Sequence, residues 1–415
     1  MTNKRRFAVV VFGATGFTGR LVADYLAGRL PAEQWAIAGR NAPKLAEVKA
    51  ALVAKRPELS ALATLSADAT DAAALSAVAR ETRVVCTTVG PYAQHGRLLA
   101  GACAEAGTSY CDLTGEVPFI RDSIDANDAR AKATGARLVH CCGVDSIPSD
   151  LGTLLVGEAM RARGRTLASA FAFFRVKGGF SGGTIASVMN LLDEAGRDRR
   201  VRRLAADPYA LMPDPKADRG PDTRDTLGVT HDPRAGEWVG PWIMATINAR
   251  VVRRTNALLG FPWGKGFRYG EAMTFGRGLK GLARAASVTA GLGAFGAIAM
   301  TGPGRRLLKP LLPKPGEGPS EAVRTAGYLK LRVVGDAGPE GAPLRLVARV
   351  ECDADPGYAG TAIMLGESAL CLALDADKLP PRAGVLTPAS AMGEVLVERL
   401  RGAGLRLSVD EARAP

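Results

Sequence analysis

The residues best equipped for chemistry in this chain lie at a few glycine- and threonine-rich turns. The first is Gly13-Ala14-Thr15-Gly16-Phe17-Thr18-Gly19. It follows a continuous apolar run, Phe7 to Phe12, and leads into Phe17, Leu21, Val22, Tyr25 and Leu26 at helical spacing. Gly13 permits a tight turn, Gly16 lets main chain approach a pyrophosphate, and Gly19 allows close helix–strand packing. The helix start behind them offers N–H groups and partial positive charge to phosphate oxygens. The spacing is GxxGxxG rather than GxGxxG, so an ordinary tight βα turn is the competing reading. Its place in the first βα unit favours a dinucleotide. Arg40, followed by Asn41, closes the second apolar run in Ala38-Gly39-Arg40-Asn41. A site for a free ribose 2′-hydroxyl usually carries Asp or Glu there. Arg suits a 2′-phosphate through a bidentate, charge-assisted contact. The cofactor implied is NADP(H). Asp68 ends the third strand, where it faces the adenine or merely closes a loop.

The carboxyl ends of the later strands should ring the nicotinamide. They carry Thr87-Thr88-Val89-Gly90-Pro91-Tyr92 with His95 behind, Asp112-Leu113-Thr114-Gly115-Glu116, and Cys142-Gly143-Val144-Asp145-Ser146. Thr88, Gly90 and Pro91 join the cofactor set. Tyr92, His95 and Asp145 are the candidates to give or orient a proton, and each also reads as a cap, a turn residue or a satisfied core group. His140, inside a strand, reads as core. A second glycine cluster, Lys177 to Thr184, precedes a helix. N–H groups at Ser181, Gly182, Gly183 and Thr184 are candidates for holding a substrate oxyanion or carboxylate, against a plain flexible connection.

These turns need a particular frame. Strands are expected at Trp35–Gly39, Thr64–Asp68, Val84–Val89, Ser109–Leu113 and Arg137–Cys142. Helices are expected at Lys44–Ala54, Asp71–Ala79, Gly96–Ala106 and Pro118–Lys132. Repeated βα units of this length make an α/β fold with a Rossmann, doubly wound parallel sheet. Past Asp145 the pattern changes. Ser146-Ile147-Pro148 starts a helix, with Pro in the first turn. A strand follows at Leu167–Val176 and a helix at Thr184–Glu194. Asp207 to Pro241 reads as a long surface loop, and Lys314–Pro319 as a further break. Tyr328–Val334 and Leu344–Cys352 read as antiparallel strands of a second, α+β substrate domain. Helices Gly357–Leu374 and Pro388–Gly402 end the chain. The division expected is 1–150 for the dinucleotide domain, completed by C-terminal helices within 355–415, and 151–354 for the substrate domain.

Composition is that of a globular protein, with 54 Lys and Arg against 41 Asp and Glu, a net charge of +13. The basic residues are scattered, apart from a knot at Arg197, Arg199, Arg200, Arg202 and Arg203. No nucleic-acid-reading motif is present and no aromatic residues interleave basic runs, which argues against a nucleic-acid partner. Seven Cys and three His show no metal-ligand spacing, so no metal is expected and the thiols read as reduced and buried in the cytoplasm. Ala285 to Met300 carries no charge, but at about sixteen residues it is short for a bilayer span. It reads first as a buried helix, then as the wall of a lipid tunnel or an interfacial segment. Peripheral contact with a membrane or lipid therefore stays open.

The motifs GATGFTG, AGRN, TTVGPYAQHG, YCDLTGE and CGVDSIPSD together resemble the saccharopine dehydrogenase-like oxidoreductases. Within these, SGGTIAS, VVRRTNAL and GVLTPASAMG resemble the trans-acting enoyl reductases of phthiocerol and phenolphthiocerol lipid biosynthesis. The resemblance covers nearly the whole chain. It implies NADPH-dependent reduction of a carbon–carbon double bond in an acyl chain carried by a separate polyketide synthase or carrier domain. It carries over Gly13, Gly16, Gly19 and Arg40 as cofactor residues and supplies no acid or base. Amino-acid dehydrogenation, as in true saccharopine enzymes, is the rival enzyme reading, and its polycarboxylate substrate should gather Arg residues. A lipid-associated protein that keeps a nucleotide without turnover is the third reading.

Overall fold

The computed structural model describes residues 5–178, 182–223, 228–308 and 326–411. The strands in chain order are β1 Phe7–Phe12, β2 Trp35–Gly39, β3 Ala63–Ser66, β4 Thr82–Thr87, β5 Ser109–Asp112, β6 Arg137–Val139, β7 Leu167–Lys177, β8 Thr230–Asp232, β9 Glu237–Gly240, β10 Arg268–Gly276, β11 Tyr328–Ala337, β12 Arg345–Cys352, β13 Gly384–Leu386 and β14 Arg406–Glu411.

Seven of them form one parallel sheet in the order β13-β6-β5-β4-β1-β2-β3. Every residue of β1 is buried, as a central strand covered by helices on both faces requires. Val9 pairs with Trp35 on one side and Val84 on the other. The chain reverses its direction of growth between β1 and β4, and that switch point opens a crevice at the carboxyl ends of the strands. The expected strands are all present, but most end earlier than the apolar runs suggested. Asp68, Val89, Leu113 and Cys142 lie in the loops beyond.

The other seven strands form a mixed sheet in the order β14-β12-β11-β7-β10-β9-β8. β7 runs parallel to β10 and antiparallel to β11. Helix Ile147–Arg161 joins the two sheets and lies on β11 and β12. Gly152 allows that approach, since a Cβ there would stand 2.8 Å from Val333 Cγ2. Its first turn is tied to helix Ala245–Leu258 and to the C-terminal region, since Asp150 accepts from Thr255 Oγ1 at 2.5 Å and from Ala389 N at 2.8 Å. Burial lifts the Asp150 carboxyl to about 7.

Helix Thr361–Leu374 covers β1, β4, β5 and the first helix of the chain, Phe17–Ala27. Tyr25 packs on Gly366 and donates to Glu367 Oε1 at 2.5 Å. The last residues are not helices alone. β13 extends the first sheet beside β6, and β14 pairs with β12 in the second. Both strands are short and lack a long apolar run.

Two further expectations differ from the structure. The stretch from Asp207 to Pro241 is not a free surface loop. Tyr209, Ala210, Leu211 and Met212 are buried, and β8 and β9 lie within it. Buried arginines of helix Ala245–Leu258 pin it, with Arg250 donating to Asp207 O, Arg253 to Pro208 O and Arg254 to Leu211 O. Second, the apolar stretch Ala285–Met300 is not buried. It falls within helix Gly278–Ala299 and its C-cap, most of whose residues are exposed, whereas Pro356–Leu374 is mostly buried. Only one stripe of the helix, with Gly281, Ala285 and Ala299 buried, meets the rest of the protein among the described residues. The Lys314–Pro319 break lies outside the described residues.

Candidate active site

The first turn is built as its glycines require. Gly13 has φ +91° and sits so close to the loop after β4 that a Cβ would lie 2.5 Å from Val89 Cγ2. A Cβ on Gly19 would lie 2.2 Å from Gly13 O, so only glycine lets the helix meet the turn. Gly16 caps the helix with no side-chain hydrogen bond, and a Cβ there would meet only Gly13 O, at 3.4 Å. The helix start is therefore uncapped and open, the condition a pyrophosphate needs. Ala14 is buried, its N–H donating to Ala38 O at 3.3 Å. Thr15 lies beside Gly39, and Thr18 is half-buried on the first helical turn. Phe17 packs edge-on against Tyr358 at 4.7 Å between ring centroids.

Arg40 is exposed just past β2 and has no hydrogen-bond or ion-pair partner among the described residues. A cation left unpaired at this strand end fits a 2′-phosphate. Asn41 is occupied otherwise: its Oδ1 accepts from Lys44 N at 3.0 Å and caps the next helix. Asp68 accepts from the Thr70 hydroxyl at 2.7 Å and from Thr70 N at 2.9 Å. Those bonds lower its pKa, helped by the charges of Arg40 and His95. Arg40, Asp68 and His95 thus share one electrostatic neighbourhood, at the end of the crevice where β2 and β3 finish.

The three proton-transfer candidates separate. Tyr92 is buried, its hydroxyl donates to Thr87 O at 3.3 Å, and its ring tilts on Phe119. Burial raises its pKa further, first by desolvation and then through Asp112. The sequence reading of Tyr92 as a proton donor is not supported, because its hydroxyl serves the core. His95 ends the short helix after Pro91, is half-buried and lies within electrostatic reach of Asp68. Asp145 remains. It follows β6, is half-buried, and its carboxylate has no hydrogen-bond partner among the described residues. Burial alone raises its pKa to about 6. A carboxyl lifted toward neutrality without a structural partner has the character of a general acid.

Its neighbours are held firmly. Ser146 Oγ donates to Asn248 Oδ1 at 2.9 Å, and Asn248 Nδ2 donates to Glu271 Oε2 at 3.0 Å. Ser149 and Tyr269 hydroxyls both donate to Glu271 Oε1, at 2.6 and 2.7 Å. This buried network joins helix Ala245–Leu258 and β10 to the turn that carries Asp145. A second hub is Asp112, which accepts from Tyr110 Oη at 2.9 Å and Thr114 N at 3.1 Å and pairs with His140 Nδ1 at 2.7 Å. His140 also meets Ser123 Oγ at 2.9 Å, so it is a core residue.

The sequence reading gave no role to Glu116, which organises the mouth of the site. Its Oε1 accepts from Tyr92 N at 3.0 Å and Ser187 Oγ at 2.7 Å, and its Oε2 accepts from Ala93 N at 2.8 Å. Desolvation raises its pKa against the opposing pull of these bonds. Through Ser187, and through Gln94 Nε2 donating to Asn190 Oδ1 at 2.8 Å, helix Gly182–Arg197 is laid over the Gly90–His95 loop. Thr88 donates to Gly13 O at 3.3 Å, and a Cβ on Gly90 would lie 3.9 Å from Ser187 Oγ. The Gly90–Pro91 peptide is cis. Gly182, Gly183 and Thr184 form the first turn of the covering helix. Ser181 lies outside the described residues. Glu116 is the N-cap residue of helix Val117–Thr134 but makes no capping bond to it; its carboxylate serves the start of another helix, Tyr92–His95, which no pattern in its own segment signals.

Residues 9–139 match the family described as the saccharopine dehydrogenase NADP binding domain. The whole chain is similar to a trans-acting enoyl reductase of Mycobacterium tuberculosis, 39% identical over 413 residues and covering 97% of each chain. It is also 39% identical over 417 residues to a trans-acting enoyl reductase of Mycobacterium ulcerans, covering 98% of each. The chain belongs to the trans-acting enoyl reductase family. Among solved structures, saccharopine dehydrogenase (L-Glu forming) from Saccharomyces cerevisiae shares the fold, with a TM-score of 0.55 and 12% identity over 98% of this chain and 99% of that one. The open glycine turn and unpaired Arg40 agree with the NADP binding domain of the family match. This family member is an NADP(H)-dependent oxidoreductase.

Proposed function

We propose that the protein reduces a carbon–carbon double bond in an enoyl chain held by a separate polyketide synthase or carrier domain. It would do so in the cytoplasm, as a step of complex lipid biosynthesis. The observation that carries the reading is the state of the arginines. A dehydrogenase for a polycarboxylate amino acid needs cations free to meet its substrate. The arginines of the inner helix are instead committed within the fold. Arg253 donates to Asp222 Oδ2, Pro208 O and Tyr269 O, and Arg254 to Leu211 O and Val385 O. Arg250 donates to Asp207 O and Ala205 O. The neighbouring wall is apolar, with Met244 and Ile247 lying beside Gly115. Such a wall suits an acyl chain.

NADPH, when bound along the glycine turn, supplies the hydride that goes to the β-carbon. The chain's own residues do the rest. Gly13, Gly16 and Gly19 admit the pyrophosphate, and Arg40 meets the 2′-phosphate. Main-chain N–H groups at Gly182, Gly183 and Thr184 face the charge that develops on the thioester oxygen. Asp145 delivers a proton to the α-carbon, directly or through water, and regains it from solvent. Glu116 keeps the covering helix in place so that the enolate forms away from bulk water. NADPH oxidation measured against enoyl thioesters and against keto acids with ammonia or amino acids tests this. Turnover with the first and none with the second is expected, and the reverse pattern refutes it.

A further inference from the structure

Helix Gly278–Ala299 is long and apolar enough to cross a membrane, yet it lies on the outside of the protein. Its inner stripe, Gly281, Ala285 and Thr289, docks on the second sheet. A Cβ on Gly281 would meet Trp238 Cδ1 at 3.3 Å, and one on Gly240 would meet Thr289 Oγ1 at 3.0 Å. This docking prevents the helix from crossing a bilayer, because one side stays on protein. The other side is uncovered. Leu279 is 83% exposed, Met300 74% and, in the following helix Gly302–Leu308, Leu307 67%.

Charge sorts the occupants. No Asp or Glu occurs between Glu271 and Glu317. Lys280 and Arg284 near the helix start and Arg306 beyond its end are exposed, with no hydrogen-bond or ion-pair partner among the described residues. A second copy packed on this face would bring these cations together in either orientation, with no acid between them. An anionic lipid surface satisfies them all, and lets the uncharged middle sink to the acyl boundary. Arg305 Nε meets Asp193 Oδ1 at 2.6 Å, which ties helix Gly302–Leu308 to the helix that covers the site.

We infer that helix Gly278–Ala299 and the short helix Gly302–Leu308 after it lie in the surface of an anionic membrane and hold the mouth of the active site at the lipid boundary. The contact is interfacial and is independent of which reaction the site performs.

The test is flotation of the purified full chain with phosphatidylglycerol–phosphatidylcholine vesicles and with pure phosphatidylcholine vesicles. Binding to the anionic vesicles alone, weakened by salt, is expected. Lys280→Gln, Arg284→Gln and Arg306→Gln should each weaken it about fivefold, and the triple variant roughly a hundredfold. Leu279→Glu with Met300→Glu should weaken it by tenfold or more. These positions are exposed, so melting temperature and NADPH affinity should stay as in the wild type and act as the folding control. No vesicle binding, or equal binding to both vesicle types, overturns the inference. So does a concentration-dependent dimer, without vesicle binding, that Leu279→Glu dissolves, since it assigns the face to a second copy. Capture of a purified carrier domain through this face, without vesicle binding, overturns it as well.

Discussion

Replacing Arg40 with Ala isolates the 2′-phosphate contact from the rest of the cofactor site. Arg40 is exposed and has no hydrogen-bond or ion-pair partner among the described residues, so the change removes nothing that holds the fold together. Surface substitutions of this kind alter stability by about 0.5 kcal/mol or less. A hydrogen bond to a charged group contributes about 1.5–3 kcal/mol, and solvent screening at an exposed site puts this one near the lower end. At about 1.4 kcal/mol per decade, NADPH should bind roughly tenfold more weakly. NADH, which lacks the phosphate, should be little affected. Arg40→Asp should go further, because a second carboxylate would join Asp68 opposite the phosphate. Calorimetric titration of both cofactors at low and high salt checks this, with the NADPH preference shrinking as salt rises. A wild type that prefers NADH would refute the reasoning, as would an Arg40→Ala variant that loses both cofactors equally.

Asp145→Asn should lower kcat while leaving NADPH affinity unchanged. The wild-type kcat should fall as pH rises through about 6, where the carboxyl loses its proton, and that limb should vanish in the variant. The stability effect has the opposite sense. A folded-state pKa raised above the ordinary aspartate value of about 3.9 to about 6 means that the contribution of Asp145 is fully present below about pH 4 and is lost as pH climbs through 6. The Asn variant should therefore gain on the wild type with rising pH, by on the order of 1–3 kcal/mol, and parallel melts at pH 4 and 8 would deny it. Glu116→Ala orphans the N–H groups of Tyr92 and Ala93 and frees Ser187, so it should cost about 2–4 kcal/mol in denaturant unfolding, with Glu116→Gln milder. An unchanged midpoint would count against the clamp. In the arginine knot, Arg200 pairs with Asp122 and Arg202 donates to Ala195 O; on the proposal that an acidic carrier domain docks there, Arg197, Arg199 and Arg203 would meet it. Changing those three to Gln should slow turnover of carrier-bound substrate at low salt and spare a small free thioester. Equal effects on both substrates would remove the knot from docking.

The dinucleotide half was legible because its signals are local. β1 is a fully buried run, and each glycine of the first turn has a steric reason that needs only its near neighbours. Arg40 stands where its own segment placed it, exposed just past β2. The proton donors were not, since Tyr92, His95 and Asp145 differ in what surrounds them rather than in their own segment. Tyr92 turned to Thr87 O and the core, and only the fold left Asp145 without a partner. Glu116 acts across 71 residues on Ser187, a distance no periodicity reports. β13 and β14 escaped notice because three- and six-residue strands gain their identity from the partners they add to. The exposed helix was misjudged because apolar composition says how a segment could be buried and leaves open what would bury it.

Enoyl reduction makes a claim about atoms. The most direct test supplies NADPH deuterated at C4 on the transferred face, an enoyl thioester on a carrier domain, and ordinary water, and reads the product by mass spectrometry and NMR. One deuterium at the β-carbon and one solvent proton at the α-carbon are predicted, with the α-proton step slowed in Asp145→Asn. Deuterium at no carbon of the acyl chain, together with label transferred to an imine carbon when a keto acid and an amine are offered, would contradict the account.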